Sequence, residues 1–417
     1  MSRKRPARKV RVEFRQNRQV RRRADDWTQR FRTAREQLED VQTSESVRAK
    51  GDLSRKRTIV VGDDDQRVVD EALWRPGRVT KVHGLFVYVT DDEGRAWECT
   101  VRRVLRTLLI RTRAPVLVGD RVWLSDQARM HDGRPVGVIE RVAPRVTTLS
   151  RRDVRGREHA IVANAEQLLA VVSVAQPRLR PHLLDRYIVA ALKGGLQPIL
   201  CFNKMDLLDA ALAARGGADP RAQPDPIDAR DAGASAPADE TDEADEDAPL
   251  GGPSVSEVVA EFRSLGYRCL CTSVVTGAGL DELREVLRGR LTALSGQSGV
   301  GKSSLLNALQ PGLRLPTASV SAENEKGRHT TTLAELLPLD FGGFVVDTPG
   351  IRAFELWAVA PGELEAFFVE FLPHVARCRF HNCLHRGEEG CAVRAAVEDG
   401  AISRRRYRSY LKMLAEL

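Results

Sequence analysis

The chain has 417 residues, of which 42% are hydrophobic and 29% are charged, and its formal net charge is +8. This length allows two or three domains with proper cores. No apolar run approaches the roughly twenty residues of a membrane helix, and the N-terminus lacks the apolar core of a signal peptide. The composition therefore excludes a membrane-spanning protein and predicts a cytoplasmic one.

The N-terminal extension, residues 1–73, is strongly basic. Residues 1–23 contain eleven Lys or Arg residues against the single acid Glu13. Such a charge density suits a polyanionic partner, and a solvated tail with no fixed partner is the alternative. Residues 25–48 combine many helix formers with scattered apolar positions, which is compatible with a helix that is polar on most sides. We predict that the extension is partly disordered.

Five short runs of alternating polar and apolar residues follow within residues 74–150. They are "RVTKV", "LFVYVT", "AWECTVR", "DRVWLSD" and "VGVIERV", separated by Gly, Asp and Pro. Five such strands predict a closed barrel of the oligonucleotide-binding type (OB-fold), whose face commonly binds nucleic acid. Basic residues after the third strand either contact phosphates or solvate a loop: Arg102, Arg103, Arg106, Arg111 and Arg113.

Residues 151–357 show another pattern, in which strand-like runs such as "QLLAVVSVA", "PILCF" and "YRCLCT" alternate with amphipathic stretches. This alternation predicts an α/β domain with a mostly parallel sheet covered by helices. Residues 209–253 interrupt it with twelve acids against three arginines. Such a segment cannot bury enough apolar surface to offset its ordering entropy, so we predict a disordered acidic insertion.

Residues 296–303 read G-x-x-x-x-G-K-S, the pattern of a phosphate-binding loop, between a short strand-like run and the helical pattern "SSLLNAL". Glycines let successive backbone N–H groups point at phosphate oxygens, and the helix N-terminus adds its dipole. Lys302 can reach the terminal phosphates, and the Ser303 hydroxyl can ligate Mg²⁺. The predicted phosphate-binding residues are Gly296, Gln297, Ser298, Gly299, Val300, Gly301, Lys302, Ser303 and Ser304.

The run "NKMD", residues 203–206, directly follows "PILCF" and predicts a guanine-recognition loop. The Asp206 carboxylate can accept hydrogen bonds from both N1–H and the exocyclic amine of guanine, a donor pair that adenine lacks. Asn203 can brace the loop and meet N7, and Lys204 can lie along the ring face. Backbone N–H groups in "CTSVVTGAGL" can reach guanine O6. The predicted base-binding residues are Asn203, Lys204, Met205, Asp206 and Ser273.

Two elements after the phosphate loop have the patterns of nucleotide-sensing switches. The run "FVVDTPG" places Asp347 at a strand end, where its carboxylate can hold a water on Mg²⁺, and Gly350 can offer its N–H to the γ-phosphate. In "KGRHTTT" the hydroxyl of either Thr331 or Thr332 can complete the Mg²⁺ shell. Together with the phosphate and guanine elements, these switches predict GTP binding.

The order of these elements is permuted, because the base readers precede the phosphate loop and the switches follow it. This order is typical of a circularly permuted GTPase. The runs "TLSRR", "IVANAEQLLAVVSVAQP", "HLLDRYIVAA", "GQSGVGKSSLLN", "KGRHTTT" and "DTPGIR" resemble the ribosome small subunit-dependent GTPase A family, RsgA. The resemblance extends from about Arg75 to the C-terminus and omits the acidic insertion. It implies a late assembly factor that binds the small ribosomal subunit and its rRNA and leaves after ribosome-stimulated hydrolysis.

The C-terminal run "CRFHNCLHRGEEGC" has the spacing C-x4-C-x-H-x5-C. Three thiolates and one imidazole satisfy a closed tetrahedral zinc site, which indicates structure rather than catalysis. His381 is a competing ligand, and isolated reduced cysteines are the alternative. The RsgA resemblance implies a zinc-binding C-terminal domain with the same ligand pattern. The predicted ligands are Cys378, Cys383, His385 and Cys391.

Hydrolysis needs a group that orients the attacking water, and Ras-like GTPases use a glutamine directly after the switch glycine. This chain has Ile351 there, so we expect slow intrinsic hydrolysis. His329, beside the switch threonines, is our candidate for the missing group, and a solvent-facing loop residue is its alternative. The candidate catalytic residues are Lys302, His329 and Asp347.

The sequence thus predicts a multidomain, monomeric protein with no membrane partner. We expect the OB-fold barrel to be followed by a circularly permuted P-loop GTPase domain, residues 151–357, and by a mostly helical zinc-binding domain, residues 358–417. An RNA-binding scaffold whose nucleotide pocket only senses is the rival hypothesis. An ATP-dependent kinase or transporter subunit is disfavoured by Asp206.

Overall fold

The computed structural model describes residues 8–13, 56–61, 73–102, 105, 115–152, 158–208, 254–315, 334–347 and 359–417. The predicted polar helix 25–48, the acidic insertion and Arg103, Arg106, Arg111 and Arg113 lie outside the described residues. Within the described ranges, every helix is too short or too polar to span a membrane.

The basic extension contains a pair of strands that the sequence analysis did not assign. Strand β1 (Arg8–Glu13) pairs antiparallel with β2 (Lys56–Val61), and Arg8 lies opposite Val61. The alternating run "RKVRVE" could have predicted β1, because alternation of polar and apolar residues is typical of a β-strand.

A five-stranded closed barrel follows, as predicted. Its strands are β3 (Arg75–His83), β4 (Phe86–Asp91), β5 (Ala96–Val101), β6 (Arg121–His131) and β7 (Arg134–Val142). They lie in the order β3-β4-β5-β7-β6, and the pairing of β3 with β6 closes the barrel. Val79, Trp97, Leu124 and Ile139 fill its interior. Arg102 pairs with the buried carboxylate of Glu140, so this member of the predicted basic cluster is engaged within the barrel.

The α/β region consists of a hairpin and a mostly parallel sheet. The hairpin strands are β8 (Thr148–Arg152) and β9 (Glu158–Ala163), and the sheet strands are β10 (Gln167–Ser173), β11 (Gln197–Asn203), β12 (Arg268–Thr272), β13 (Leu291–Ser295), β14 (Glu335–Pro338) and β15 (Phe344–Asp347). The sheet order is β12-β11-β10-β13-β15-β14, and β14 is antiparallel to β15. Every residue of β10 and β13 is buried, which is typical of central parallel strands.

Helices cover both faces of this sheet. They are α1 (Pro181–Lys193), α2 (Val255–Ser264), α3 (Leu280–Leu287) and α4 (Lys302–Leu309). Leu184 of α1 and Phe262 of α2 pack on one face, whereas Leu283 of α3 and Leu305 of α4 pack on the other. A capping box between Ser254 and Glu257 begins α2, immediately after the acidic insertion.

The C-terminal module is mostly helical, as predicted. It contains a 3₁₀ helix (Pro361–Phe367) and the helices α5 (Leu372–Val375), α6 (Ala392–Glu398) and α7 (Arg404–Ala415). Phe368, Phe371 and Tyr410 form an aromatic core, in which the rings of Phe371 and Tyr410 are 4.9 Å apart. This core is distinct from the two sheet cores but includes Val189 of α1, so α1 packs against both the sheet and the module.

A buried network of ion pairs joins this module to the α/β region. Arg406 of α7 donates to Asp185 of α1 at 2.6 Å and to Glu370 at 2.6 Å, and neighbouring Arg405 donates to Asp185 and to Glu261 of α2. Burial acts to lower the pKa of Arg406, but the charges of Asp185 and Glu370 outweigh it and raise the pKa above its usual range. The guanidinium is therefore charged, and α7 is tied to two helices of the neighbouring region.

Replacing Arg406 with Met removes the guanidinium and keeps much of the side-chain volume. Because Asp185 and Glu370 would lose a buried partner, we expect the free energy of unfolding to fall by about 3–5 kcal/mol. Urea unfolding of the full chain, followed by circular dichroism, measures the change. Arg408→Met, at an exposed position of the same helix, is the matched control and should unfold at the wild-type midpoint; equal midpoints for all three proteins would contradict the expectation.

Candidate nucleotide site and metal centre

The nucleotide-site elements meet at one edge of the parallel sheet. Strands β10, β11, β12, β13 and β15 are parallel, so their carboxyl ends lie at the same edge, where open α/β sheets bind ligands. Strand β13 leads into the phosphate loop, β11 into residues 203–206, and β12 into residues 273–279. The permuted order along the chain therefore does not separate these elements in space.

Backbone geometry in the phosphate loop requires glycine. Gly296 has φ 153°, and a Cβ there would lie 2.2 Å from the carbonyl oxygen of Val171. Gly301 has φ 96°, and a Cβ there would lie 2.5 Å from Nδ2 of Asn203. The loop therefore passes closely over strand β10 and the guanine-recognition loop, and helix α4 begins directly after it.

The Lys302 ammonium lies across the phosphate loop. Its Nζ donates to the carbonyl oxygens of Gly296 at 2.7 Å and Gln297 at 2.8 Å. Charged phosphate oxygens are stronger acceptors for an ammonium than neutral carbonyls, because charge attraction adds to the hydrogen bond. The predicted contact of Lys302 with the terminal phosphates stays a prediction, and the partly buried Ser303 follows in the first turn of α4.

Asn203 connects the guanine-recognition loop to the phosphate loop. Its side chain is buried; Nδ2 donates to the carbonyl oxygen of Val300 at 2.8 Å, and Oδ1 accepts from the Thr272 hydroxyl at 3.1 Å. These bonds link the ends of strands β11 and β12 to the phosphate loop. Its predicted contact with N7 of guanine stays a prediction.

The Asp206 carboxylate, the predicted base reader, is held by a neighbouring loop. The Ser273 hydroxyl donates to Oδ1 of Asp206 at 2.5 Å and accepts from the backbone N–H of Thr276. Lys204 has φ 64°, and its Nζ donates to the carbonyl oxygen of Gln176, in the loop that follows β10. Gln176 lies in the run "IVANAEQLLAVVSVAQP" of the sequence analysis, which assigned it no role at the nucleotide site.

Part of the predicted site lies outside the described residues, namely His329, Thr331, Thr332, Gly350 and Ile351. The backbone of Asp347 is described, and it lies opposite Leu294 in the register of β13 with β15. This register places the end of β15 beside the strand that leads into the phosphate loop.

Four ligand atoms converge in the C-terminal module. The Sγ atoms of Cys378, Cys383 and Cys391 and a ring nitrogen of His385 all lie within 4.8 Å of one another. Nδ1 of His385 is 3.4 Å from Sγ of Cys391 and 3.7 Å from Sγ of Cys378. Tetrahedral zinc bonds of about 2.3 Å to sulfur and about 2.0 Å to nitrogen give edges of about 3.5–3.8 Å, so the donor set fits zinc. The competing ligand His381 is exposed and outside this cluster.

The sequence analysis missed a partner of the metal cluster, Glu365. Oε2 of Glu365 lies 2.7 Å from Nε2 of the fully buried His385. A carboxylate in this position fixes the imidazole so that Nδ1 faces the metal and strengthens it as a ligand. No spacing pattern could have found Glu365, since the 3₁₀ helix brings it to the site from outside the cysteine motif.

Protons compete with metal at this cluster. Burial raises the pKa of the Cys383 thiol to about 12 and also raises the pKa of Cys391. A metal ion must therefore displace protons from these thiols when it binds, and affinity falls as the pH is lowered.

Known proteins support the same interpretation. Residues 142–219 and 240–357 match the family described as RsgA GTPase. The small ribosomal subunit biogenesis GTPase RsgA of Moorella thermoacetica is 38% identical over 341 residues, which cover 82% of this chain and 97% of that protein. YjeQ from Thermotoga maritima has a crystal structure with a TM-score of 0.58 at 33% identity, covering 83% of this chain and 99% of that one. YloQ, described as a circularly permuted GTPase, has a TM-score of 0.55 at 26% identity, covering 84% and 97%.

The fold and the site define the class of circularly permuted GTPases, in which the guanine-recognition loop precedes the phosphate loop. This agreement confirms the permuted order predicted from the sequence. The chain belongs to the RsgA GTPase family.

Replacing Glu365 with Ala should lower zinc affinity by about 10- to 100-fold, because His385 would lose the group that orients it. Competition with a chromophoric chelator measures the affinity. Glu398→Ala removes an exposed carboxylate of the same module and should leave zinc affinity unchanged. Wild-type affinity in the Glu365 variant would show that the carboxylate does not support the metal site.

Proposed function

We propose that this protein is a GTP-hydrolysing assembly factor of the small ribosomal subunit, acting as a cytoplasmic monomer. In this proposal the GTP form binds the maturing particle, the particle stimulates hydrolysis, and the GDP form leaves. The main support is the similarity to proteins named small ribosomal subunit biogenesis GTPase RsgA. The chain has the permuted nucleotide site and aligns with 97% of the Moorella thermoacetica protein of that name. An RNA-binding scaffold with a merely sensing pocket is not favoured, because Lys302 and Ser303 are intact.

Guanine recognition rests on Asp206 in this proposal. Ser273 holds one carboxylate oxygen at 2.5 Å, so the group is oriented before the base arrives, and preorganised groups lose less entropy on binding. Lys204 provides the cation along the ring face, and the neighbouring Met205 and Asn203 complete the loop. The phosphates lie over residues 296–304, where Lys302 neutralises the developing negative charge.

The site has the oxygen donors that Mg²⁺ prefers. Ser303 lies in the first turn of α4, and the end of β15 brings Asp347 next to the strand that precedes the phosphate loop. Either Thr331 or Thr332 completes the shell in our proposal. Mg²⁺, when bound, neutralises charge on the β- and γ-phosphates. A zinc ion would be held by the Cys3His cluster and would be structural, because four protein ligands would leave no open position.

The barrel is the proposed RNA-binding surface. Residues 73–145 contain fourteen Arg or Lys residues against eight Asp or Glu residues. On β4, the ring of Phe86 stacks with His131 at 6.4 Å, and Arg134 lies over the ring of Tyr88 at 5.4 Å. These residues belong to the second barrel strand and to the hairpin between the last two strands, the regions with which OB-folds bind oligonucleotides.

Measuring GTP turnover with and without purified small ribosomal subunits tests the proposed function. We expect small subunits to raise multiple-turnover phosphate release at least about tenfold, since correctly placed catalytic groups are worth more than that in other GTPases. Large subunits serve as the control and should give no such rise. If small subunits leave turnover unchanged, the proposed function is wrong.

His329→Ala tests the water-orienting role that we propose for His329. We expect subunit-stimulated turnover to fall while GTP affinity, measured with a fluorescent analogue, stays close to that of the wild type. The reason is that a group acting on the attacking water contributes to the transition state and not to nucleotide binding. Unaltered stimulated turnover would remove His329 from the mechanism.

Asp206→Asn tests base recognition. The amide cannot accept both guanine hydrogen bonds, so we expect GTP affinity to fall about 100-fold, given the roughly 1.5–3 kcal/mol typical of hydrogen bonds to charged groups. Xanthosine triphosphate should gain affinity, because its 2-oxygen can accept from the new amide. Asp281→Asn, at an exposed site on α3, is the matched control, and equal GTP affinity in both variants would exclude Asp206 as the base reader.

A further inference from the structure

The loop between strand β10 and helix α1 contacts two parts of the nucleotide site but has no role in the function proposed above. It spans residues 174–180, and we call it the β10–α1 loop. Nζ of Lys204, in the guanine-recognition loop, donates to the carbonyl oxygen of Gln176. Cδ of Pro177 lies 3.9 Å from the position that a Cβ on Gly299 would take. The β10–α1 loop therefore lies against both the guanine-recognition loop and the phosphate loop.

Hydrogen bonds at the start of the β10–α1 loop hold it in this position. Oγ of the buried Ser173, at the end of β10, accepts the backbone N–H groups of Ala175 at 3.3 Å and Gln176 at 3.0 Å. The N–H of Val174 donates to the carbonyl oxygen of Asn203, at the end of β11, at 3.1 Å. Two neighbouring strands of the sheet thus determine where the loop lies relative to the phosphate loop.

The β10–α1 loop carries an arginine directly after its contact with the phosphate loop. Arg178 is exposed, and within the described part of the chain its side chain forms no hydrogen bond or ion pair. Residues 174–184 contain two arginines and no acid. The next acid along the chain, Asp185, already pairs with Arg405 and Arg406. The described residues therefore leave the positive charge of Arg178 uncompensated.

An uncompensated cation at this place favours a phosphate ligand. Consecutive Cα atoms are about 3.8 Å apart, so Arg178 begins one residue after the contact between Pro177 and Gly299. The backbone N–H groups of a phosphate loop hold the α- and β-phosphates of a bound nucleotide. A guanidinium offers several N–H donors in one plane, a geometry that matches phosphate oxygens.

We propose that Arg178 is a further phosphate-binding residue of the nucleotide site. Its guanidinium binds oxygens of the α- and β-phosphates, next to the phosphate loop. GDP and GTP both carry these phosphates, so Arg178 contributes to the affinity for both nucleotides and not to the hydrolysis step. The inference rests on the proposed guanine-nucleotide site, and it adds a cation from a loop that contains no phosphate-binding motif.

Nucleotide-binding assays with full-length variants test the role of Arg178. The probes are fluorescent analogues of GDP and GTP at low ionic strength. We expect Arg178→Ala to weaken binding of both analogues about tenfold, the size expected for one hydrogen bond between charged groups. Arg178→Lys should bind more tightly than Arg178→Ala because it keeps the charge. Arg268→Ala removes an exposed arginine at the amino end of β12 and is the matched control, with wild-type affinity expected.

Ionic strength separates a charge contact from a structural effect. The difference in affinity between Arg178→Ala and the wild type should shrink as salt is added, because salt screens exposed charges. A loss of affinity that is independent of salt would overturn the proposal in favour of a structural role.

Two further results would contradict the proposal. One is wild-type affinity of Arg178→Ala for both analogues. The other is wild-type affinity combined with a loss of subunit-stimulated turnover, which would assign Arg178 to a contact with the small subunit instead. Failure of the wild-type chain to bind either analogue would overturn the proposed nucleotide site itself, and the role of Arg178 with it.

Discussion

The nucleotide site depends on the hydrogen bonds of one buried amide, that of Asn203. It donates to the phosphate loop at Val300 and accepts from Thr272 at the end of β12. In the chain, Val300 lies 97 residues and Thr272 lies 69 residues after Asn203. Because parallel strands bring their carboxyl ends together, a single short side chain can span the gap. Circular permutation changes the order in which these loops occur but leaves this edge unchanged.

The metal module is positioned by a different kind of interaction, a buried ionic network. Two adjacent arginines of α7 meet Asp185, Glu261 and Glu370. Buried charges are costly to separate once they are paired, so the network fixes a specific orientation of α7 even if it adds little net stability. The same helix donates the hydroxyl of Tyr410 to the carbonyl of Leu384, next to the ligand His385. The metal centre and the α/β region therefore share one helix.

The sequence predicted the elements that rest on local spacing and missed those that rest on long-range contact. The barrel strands, the parallel sheet and the four clustered ligand residues follow from alternation or fixed spacing, which a single sequence records. Glu365 and Asp185 contact partners that are 20 and 221 residues away. Asp185 lies in the run "HLLDRYIVAA", but no spacing in the sequence indicates either partner, so only the folded chain identifies them. Arg102 shows that a local pattern can also mislead. Its place in a basic run suggested phosphate contact or a solvated loop, but its side chain pairs with buried Glu140 in the barrel.

In the described part of the chain, the barrel meets the α/β region through contacts of unequal strength. Near Gly119, backbone hydrogen bonds link Ala163 to Val118, and a Cβ on Gly119 would lie 2.0 Å from the carbonyl oxygen of Ala163, so this contact is closely packed. On the other side, β14 pairs with β3 only where Glu335 meets Lys81, an exposed ion pair of the kind worth about 0–1 kcal/mol. Strand β14 also pairs with β15, which ends at Asp347, the predicted switch residue. The weaker of the two contacts is therefore the one that β14 and β15 connect to the predicted switch, whereas the closely packed contact at Gly119 lies away from it.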